Sequence, residues 1–210
     1  MGKLTSQNKP TGFYSFARII VWLLAHTVYP VKIIHRDRLD QLCAPYILIS
    51  NHDSALDPIV LAYAVKKHEV RFLAKRELMK SKFADYILRR RLHAIPVDRH
   101  ASDISAMRLA VSAIKEGHVV GVFPEGTRYK AGLMDELERG VAILTLRCGV
   151  PLVPVYIQTK LRLFHVTRLI IGMPIYQEDD IHAAADKAAC DHLLRRISAL
   201  YVKLKQDDCK

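Results

Sequence analysis

The chain has 210 residues, of which 50% are hydrophobic and 25% charged. This composition excludes an intrinsically disordered protein and fits one globular domain with a substantial core. The formal net charge of +11 favours anionic partners, namely nucleic acid, an anionic membrane surface or phosphorylated substrates, and does not choose among them. The four cysteines lie far apart without metal-ligand spacing, which indicates reduced thiols in a cytosol-facing protein: Cys43, Cys148, Cys190 and Cys209.

The first long apolar stretch runs from Phe13 to Pro30. A membrane-spanning helix needs about 20 apolar residues, and this stretch is shorter and contains an arginine. The pattern predicts a helix lying in one leaflet of a membrane, with Arg18 extending towards the headgroups and Trp22 near the interface. The alternative is a helix buried in the core. A signal peptide is disfavoured because no small-residue cleavage site follows.

Short apolar runs then alternate with longer helical patterns. This alternation predicts an α/β fold, a single domain with a central, mostly parallel or mixed sheet of about seven strands flanked by helices and preceded by the apolar N-terminal helix. Strands are expected near residues 31–35, 46–50, 70–74, 93–97, 119–123, 152–157 and 168–172. Helices are expected near residues 58–67, 77–91, 103–116, 137–148 and 180–205. Gly117 and Gly149 lie at plausible C-cap positions.

In an open α/β sheet, ligand sites collect where strands give way to loops. At the first such end, an apolar run stops at Asn51-His52, and a carboxylate, Asp57, follows. Asp57-Pro58 is a favourable helix start with Asp57 as N-cap, so His52 would lie in the preceding turn. The carboxylate could then orient the imidazole and leave its other nitrogen free as a general base. The alternative is a histidine with a purely structural hydrogen bond.

Two further strand ends carry arginines. Within the segment IPVDRH at 95–100, a short apolar strand ends in Asp98-Arg99. The buried strand at 119–123 is followed by Pro124 and the tetrapeptide Glu125-Gly126-Thr127-Arg128. A glycine allows close backbone approach, and two arginines at adjacent strand ends can bind one phosphate, although singly each would more often form a surface salt bridge. A further basic set fits either a solvated helix face or a site for phosphates or lipid headgroups: Lys75, Arg76, Lys80, Lys82, Arg89, Arg90 and Arg91.

Four motifs occur in a fixed order, and together they resemble a known family. They are Asn51-His52-x-x-x-x-Asp57, IPVDR at 95–99, FPEGTR at 123–128 and VPLVPVYI at 150–157. In sequence and order they resemble the glycerolipid acyltransferases typified by 1-acyl-sn-glycerol-3-phosphate acyltransferase. The similarity extends over roughly residues 35 to 175. We accordingly divide the chain into a membrane-associating segment, 1–35, and a glycerolipid acyltransferase domain, 36–210.

The resemblance implies an enzyme that moves a fatty acyl group from acyl-coenzyme A or acyl carrier protein to the sn-2 hydroxyl of lysophosphatidic acid. The product would be phosphatidic acid, made for phospholipid biosynthesis. The resemblance also implies catalysis by His52 and Asp57, and it places Pro154 on the acyl-donor side or in packing. The residues that it associates with the glycerol phosphate are Lys75, Arg99, Glu125, Gly126, Thr127 and Arg128.

The implied partners are membrane lipids, including lysophosphatidic acid and an anionic bilayer surface, together with the acyl donor. No nucleic acid, metal or cofactor is expected, and the implied location is the cytoplasmic face of the cell membrane. Acyl transfer to an alcohol needs a base, an anchor for the acceptor and stabilisation of the oxyanion, for which backbone N–H groups near Pro58 or Gly126 are candidates. We expect direct transfer, because neither Ser54 nor Cys43 lies in a nucleophile motif.

Other interpretations remain at this point. A nucleic-acid-binding module would explain the charge, but the basic residues lack interleaved aromatics and no recognised motif occurs. A metal-dependent hydrolase could use His52, Asp53 and Asp57, but no second ligand motif completes the site. A lipid-binding relative without catalysis is a third alternative, against which the intact His52 and Asp57 argue. The acceptor of an enzyme could also be glycerol 3-phosphate or another lysophospholipid.

Overall fold

The computed structural model describes residues 10–97, 104–123, 139–158, 162–176 and 187–206. Within these ranges, seven strands form one sheet. The strands are β1 (Val31–Ile34), β2 (Ile47–Ser50), β3 (Val70–Lys75), β4 (Ile95–Val97), β5 (Val119–Val122), β6 (Leu152–Ile157) and β7 (Thr167–Ile171). The helices are α1 (Gly12–Thr27), α2 (Asp37–Asp40), α3 (Asp57–Ala64), a 3₁₀-helix (Arg76–Met79), α4 (Lys82–Asp85), a π-helix (Tyr86–Arg91), α5 (Ile104–Lys115), α6 (Arg139–Cys148) and α7 (Lys187–Gln206).

The sheet is mixed, as the sequence predicts, and its strands follow the order β1-β7-β6-β2-β5-β3-β4. Strands β6, β2, β5, β3 and β4 are parallel to one another. Strand β7 is antiparallel to β6, and β1 is parallel to β7. The carboxyl ends of the five parallel strands therefore share one edge, which we call the carboxyl edge. Strands β1 and β7 begin at this same edge.

Helices cover both faces of the sheet, which explains why its central strands are continuous apolar runs rather than alternating ones. Every residue of β2 and β6 is buried. Ile47 and Ile49 pack into the core under α5, α6 and α7. Leu48, between them, packs into the opposite core, under α2 and α3. The domain is thus a three-layer α/β/α structure with an apolar core on each side of the sheet.

Helix α1 is attached at its start to the amino end of β3. Thr11 is its N-cap, and the Thr11 N–H donates to a Glu69 carboxylate oxygen at 3.4 Å. The Val70 N–H donates to the Tyr14 hydroxyl at 3.2 Å. Burial raises the pKa of Tyr14 to about 12, so the hydroxyl stays neutral at physiological pH. These contacts join α1 to the sheet through long-range bonds that its own sequence does not reveal.

From that attachment α1 crosses α3 to the other end of the sheet, where the Phe164 N–H donates to the Val28 carbonyl at 2.8 Å, just before β1. Only Tyr14 and Ala25 of α1 are buried, so the alternative of a core helix is wrong. The expectation that Arg18 extends towards headgroups is also wrong, because its guanidinium donates to the Lys66 carbonyl. Among the described residues, no helix combines the length and apolar character needed to cross a membrane.

Of three local predictions, one is wrong and two are confirmed. The single helix expected at 77–91 is instead a 3₁₀-helix, α4 and a π-helix in succession, and none of the three has a buried residue to hold it straight against the sheet. Gly117 and Gly149 do end helices with positive φ angles of 86° and 63°, a conformation that favours glycine. Cys43, Cys148 and Cys190 are free thiols, as expected.

Candidate active site

The structure brings His52 and Asp57 together in the turn between β2 and α3. The His52 Nδ1 lies 3.1 Å from the Asp57 Oδ2. The Asp57 side chain is fully buried, whereas 18% of the His52 side chain is exposed. One ring nitrogen is thus held by a carboxylate inside the protein, and the ring itself reaches solvent at the carboxyl edge. This is the geometry that a general base oriented by a carboxylate requires.

The turn is held closed by the same carboxylate oxygen. The backbone N–H groups of Asp53 and Ser54 donate to Asp57 Oδ2 at 2.8 and 2.7 Å. A buried carboxylate needs such donors to offset its lost hydration. Leu56, rather than Asp57, occupies the N-cap position of α3, so the predicted cap is wrong. The Asp57 side chain points back over the preceding turn because the donors that it satisfies lie there.

Asn51 positions the histidine by extending the sheet with its side chain. Its Nδ2 donates to the Ile157 carbonyl at 2.9 Å, and the Ile157 N–H donates to its Oδ1 at 2.8 Å. The last backbone pair of the β2–β6 ladder is Ser50 with Val155, so the amide reproduces the pairing beyond it. The side chain of Asn51 therefore fixes the point at which the chain leaves the sheet and enters the His52 turn.

Tyr201 of α7 contacts both β2 and β6 from the face of the sheet that α5, α6 and α7 cover. Its hydroxyl lies 2.7 Å from the Ile49 carbonyl and 3.0 Å from the Val155 carbonyl. Sequence reasoning missed this contact, because an amphipathic helix predicts a buried tyrosine but not the carbonyls that it meets. The C-terminal helix thus supports the strand that carries the histidine.

An aromatic stack supports the imidazole from the side. The rings of His52 and Phe123 are stacked, with centroids 4.4 Å apart and an interplanar angle of 29°. The Phe123 ring is in turn stacked with that of Phe72 at 5.8 Å. Phe123 follows β5 and Phe72 lies on β3, so the stack spans two neighbouring strands. In the sequence, the only indication of this stack is that Phe72 and Phe123 are both apolar.

Replacement of Gly121 by alanine should disturb this stack. A Cβ at Gly121 would lie 2.3 Å from a ring carbon of Phe72, so the ring must move, and its shift would pass through Phe123 to His52. We expect a loss of roughly 1–3 kcal/mol in the free energy of unfolding and a lower kcat. Urea unfolding and steady-state kinetics would measure both.

The matched control is Gly140→Ala in α6, where the new Cβ would meet, among the described residues, only Met107, at 3.7 Å. Because alanine favours a helix more than glycine does, this variant should be up to about 1 kcal/mol more stable. Its activity should be unchanged. Equal effects of the two substitutions on kcat would show that the Phe72–Phe123 stack does not position His52.

The predicted phosphate ligands are described only in part. Lys75 is the last residue of β3 at the carboxyl edge, where it pairs with Val97 of β4. It is exposed, and strand alternation places its side chain on the sheet face opposite to that of Phe72. Arg99 and the residues at 125–128, which are Glu125, Gly126, Thr127 and Arg128, lie outside the described residues, so their role in binding stays a prediction.

One expectation about these ligands is wrong. The strand ends that precede Arg99 and Arg128 are not adjacent, because β3 lies between β4 and β5. Parallel strands are joined by crossover connections, and a crossover does not require consecutive strands to be neighbours. Lys75 therefore lies on β3, the strand between the two strands that precede Arg99 and Arg128 in the sequence.

Pro154 is a packing residue in the structure. It lies in the buried strand β6, and its carbonyl accepts the Gly172 N–H at 2.7 Å. A Cβ at Gly172 would lie only 2.7 Å from the Pro154 ring, so the two residues fit closely. The structure therefore accounts for Pro154 by packing, and its link to the acyl donor stays a prediction.

Backbone N–H groups at the start of α3 are already bonded. Those of Asp57 and Ile59 donate to the carbonyls of Ser54 and Leu56 at 3.1 and 3.0 Å. Proline at 58 has no N–H to offer. An oxyanion would have to displace these bonds, so the helix start is a poor candidate for its stabilisation. The other candidate, near Gly126, lies outside the described residues.

A metal site was the alternative use of His52, Asp53 and Asp57. In the part of the chain that the structure describes, no group of three or more histidine, cysteine, aspartate or glutamate residues could hold a metal ion. The Asp57 oxygen that faces His52 is instead engaged by two backbone N–H groups. These three residues therefore do not form a ligand set.

Comparison with known proteins adds to this geometry. A sequence model of the family described as Acyltransferase matches residues 30–158, which include His52, Asp57 and Pro154. The chain belongs to the acyltransferase family. A family member from Bacillus subtilis named 1-acyl-sn-glycerol-3-phosphate acyltransferase is 30% identical over 184 residues, which cover 84% of this chain and 90% of that protein.

Two further comparisons agree. A protein of the same name from Streptococcus pneumoniae is 27% identical over 145 residues, which cover 68% of this chain and 53% of that protein. The crystal structure of the 1-acyl-sn-glycerophosphate (LPA) acyltransferase from Thermotoga maritima superposes with a TM-score of 0.67 at 22% identity. The match covers 94% of this chain and 79% of the crystallised one, and it supports the fold.

Proposed function

We propose that this acyltransferase is a 1-acyl-sn-glycerol-3-phosphate acyltransferase. It transfers a fatty acyl group from coenzyme A or acyl carrier protein to the sn-2 hydroxyl of lysophosphatidic acid and forms phosphatidic acid. The observation that carries the proposal is the His52–Asp57 pair, a partly exposed imidazole held at 3.1 Å by a fully buried carboxylate. The names of the relatives in Bacillus subtilis and Streptococcus pneumoniae support the choice of acceptor.

The pair supports a direct transfer. With Nδ1 donating to Asp57, the Nε2 of His52 carries the lone pair and can accept the proton of the acceptor hydroxyl. The hydroxyl oxygen attacks the thioester carbonyl, a C–O bond forms, and the C–S bond breaks with release of the thiol. The imidazolium returns its proton to the departing sulfur. Asp57 stabilises that cation while it exists, so no acyl-enzyme is needed.

The acceptor phosphate would bind beside this base. Lys75 ends β3 at the carboxyl edge, and Arg99 follows β4 in the sequence. The tetrapeptide Glu125 to Arg128 follows β5 in the sequence and contributes a glycine, a hydroxyl and a second arginine. Guanidinium groups bind phosphate bidentately, so these residues are our proposed site for the glycerol phosphate.

The acceptor is a lipid, so the enzyme must work at a membrane. Helix α1 supports this, because it exposes apolar side chains that no described part of the protein covers. We propose that it lies in the cytoplasmic leaflet of the cell membrane. The side chains, which are 42–65% exposed, are Phe16, Ile19, Ile20, Trp22, Leu23 and Leu24.

An acyl-transfer assay tests the function directly. The full chain in detergent would receive acyl-coenzyme A or acyl carrier protein as donor, with lysophosphatidic acid, glycerol 3-phosphate or lysophosphatidylcholine as acceptor. We expect phosphatidic acid to be the preferred product, measured by mass spectrometry. Faster acylation of glycerol 3-phosphate or lysophosphatidylcholine would identify that compound as the acceptor instead. No product from any combination would indicate a lipid-binding protein without catalysis.

A further inference from the structure

The connection between β3 and β4 exposes apolar and basic side chains together. It runs through residues 76–91, and none of its helical residues is buried. Leu78, Phe83 and Tyr86 are 55%, 77% and 48% exposed. The segment contains six basic and two acidic residues, a formal net charge of +4. Large exposed apolar residues grouped in this way mark a contact surface more often than scattered ones do.

Most of the positive charge is available to a partner. Arg89 forms an ion pair with Asp85 at 2.8 Å. No ion pair is found within the described ranges for Arg76, Lys80 or Lys82, and all three are exposed. Cations around exposed aromatic side chains complement a surface that is anionic outside and apolar beneath, which is the profile of an anionic bilayer.

The position of the segment links it to both the site and α1. It begins directly after Lys75, the carboxyl-edge end of β3. At its other end, the Arg91 guanidinium lies 4.4 Å from the ring centre of Phe13 in α1 and 6.0 Å from that of Tyr86. The segment is therefore joined to the helix that carries the other exposed apolar face.

We propose that residues 76–91 form a second membrane-contact segment, which places Phe83 in the interface of an anionic bilayer while Lys80 and Lys82 contact its headgroups. With α1 it makes two points of attachment, and these set the orientation of the carboxyl edge towards the lipid. This inference rests on the proposed function, because a lipid acceptor is the reason for membrane contact. An acidic carrier protein would complement the charge but not the exposed apolar side chains of Leu78, Phe83 and Tyr86.

The single tryptophan of the chain, Trp22, makes a direct test possible. In the wild-type protein, the fluorescence of Trp22 reports on α1. In the double variant Trp22→Phe/Phe83→Trp, the fluorescence of the new tryptophan reports on residues 76–91. Vesicles of phosphatidylglycerol and phosphatidylcholine with brominated acyl chains quench a tryptophan that enters the bilayer. We expect blue-shifted, quenched emission from both proteins. The control, Trp22→Phe/Leu109→Trp, places the probe at an exposed position of α5 beyond the sheet and should not respond.

The outcomes distinguish membrane contact by residues 76–91 from membrane contact by α1 alone. A response of Trp22 without one from the tryptophan at 83 would overturn this inference and leave α1 as the membrane contact. No response from either would contradict membrane association itself. A response at position 83 to acyl carrier protein without vesicles, and none to vesicles, would assign the segment to the carrier protein instead.

Charge variants provide a second measurement. Lys80→Gln/Lys82→Gln should weaken vesicle binding by about fivefold per charge, or roughly 25-fold in total. Arg108→Gln/Lys115→Gln removes the same charge from α5, which packs on the face of the sheet opposite to α3 and α1, and should change binding much less. Equal losses for the two pairs would show that net charge, rather than this segment, drives binding.

Discussion

Replacing His52 with glutamine is expected to lower kcat by about two to four orders of magnitude, the usual contribution of a general base. This corresponds to about 3–5 kcal/mol in the activation free energy. Glutamine can still donate a hydrogen bond to Asp57, so the turn should survive. It has no basic nitrogen, however, and cannot take the proton of the acceptor hydroxyl. The expected loss is therefore in the chemical step rather than in folding.

The measurement is the rate of phosphatidic acid formation at saturating lysophosphatidic acid, with thermal unfolding recorded for each protein. His68→Gln is the control. His68 is also partly buried, and burial lowers its pKa, but it lies near the Leu42 carbonyl, away from the carboxyl edge. We expect that variant to keep its activity. A His52→Gln enzyme within tenfold of the wild type would show that another group is the base.

Asp57→Asn should reduce both activity and stability. The amide oxygen can replace Oδ2 and accept the N–H groups of Asp53 and Ser54. The amide nitrogen then takes the place of Oδ1, a buried atom with no hydrogen-bond partner among the described residues. An unsatisfied buried donor costs about 1–3 kcal/mol. The neutral side chain also no longer stabilises the imidazolium, so we expect kcat to fall by about two to four orders of magnitude.

Denaturant unfolding and kinetics separate these two effects. Asp40→Asn is the control, because within the described residues its carboxylate makes only a partly exposed ion pair with Lys66, at 3.7 Å. Such pairs contribute at most about 1 kcal/mol, and activity should not change. If Asp57→Asn lowered stability but kept the wild-type kcat, the carboxylate would be a structural group that closes the turn and not a partner of the base.

The contrast between local and distant contacts explains how much of this site could be predicted. His52 and Asp57 are five residues apart, so one turn brings them together, and the strand end and helix start around them are visible as an apolar run followed by a proline. Asn51 contacts Ile157, 106 residues further along the chain. Tyr201 contacts Ile49 across 152 residues. Nothing within a window of local sequence specifies such partners.

The sequence alone determined the α/β class, the approximate strands and the His52–Asp57 pair, because apolar periodicity, turn residues and chain direction act over a few residues. Tertiary structure decided which strands are neighbours. It placed β3 between the two strands that precede Arg99 and Arg128, stacked Phe123 on the imidazole, and joined α1 to the π-helix through Arg91. Those contacts depend on how crossovers pack on a shared sheet, and packing selects partners by shape and burial rather than by sequence distance.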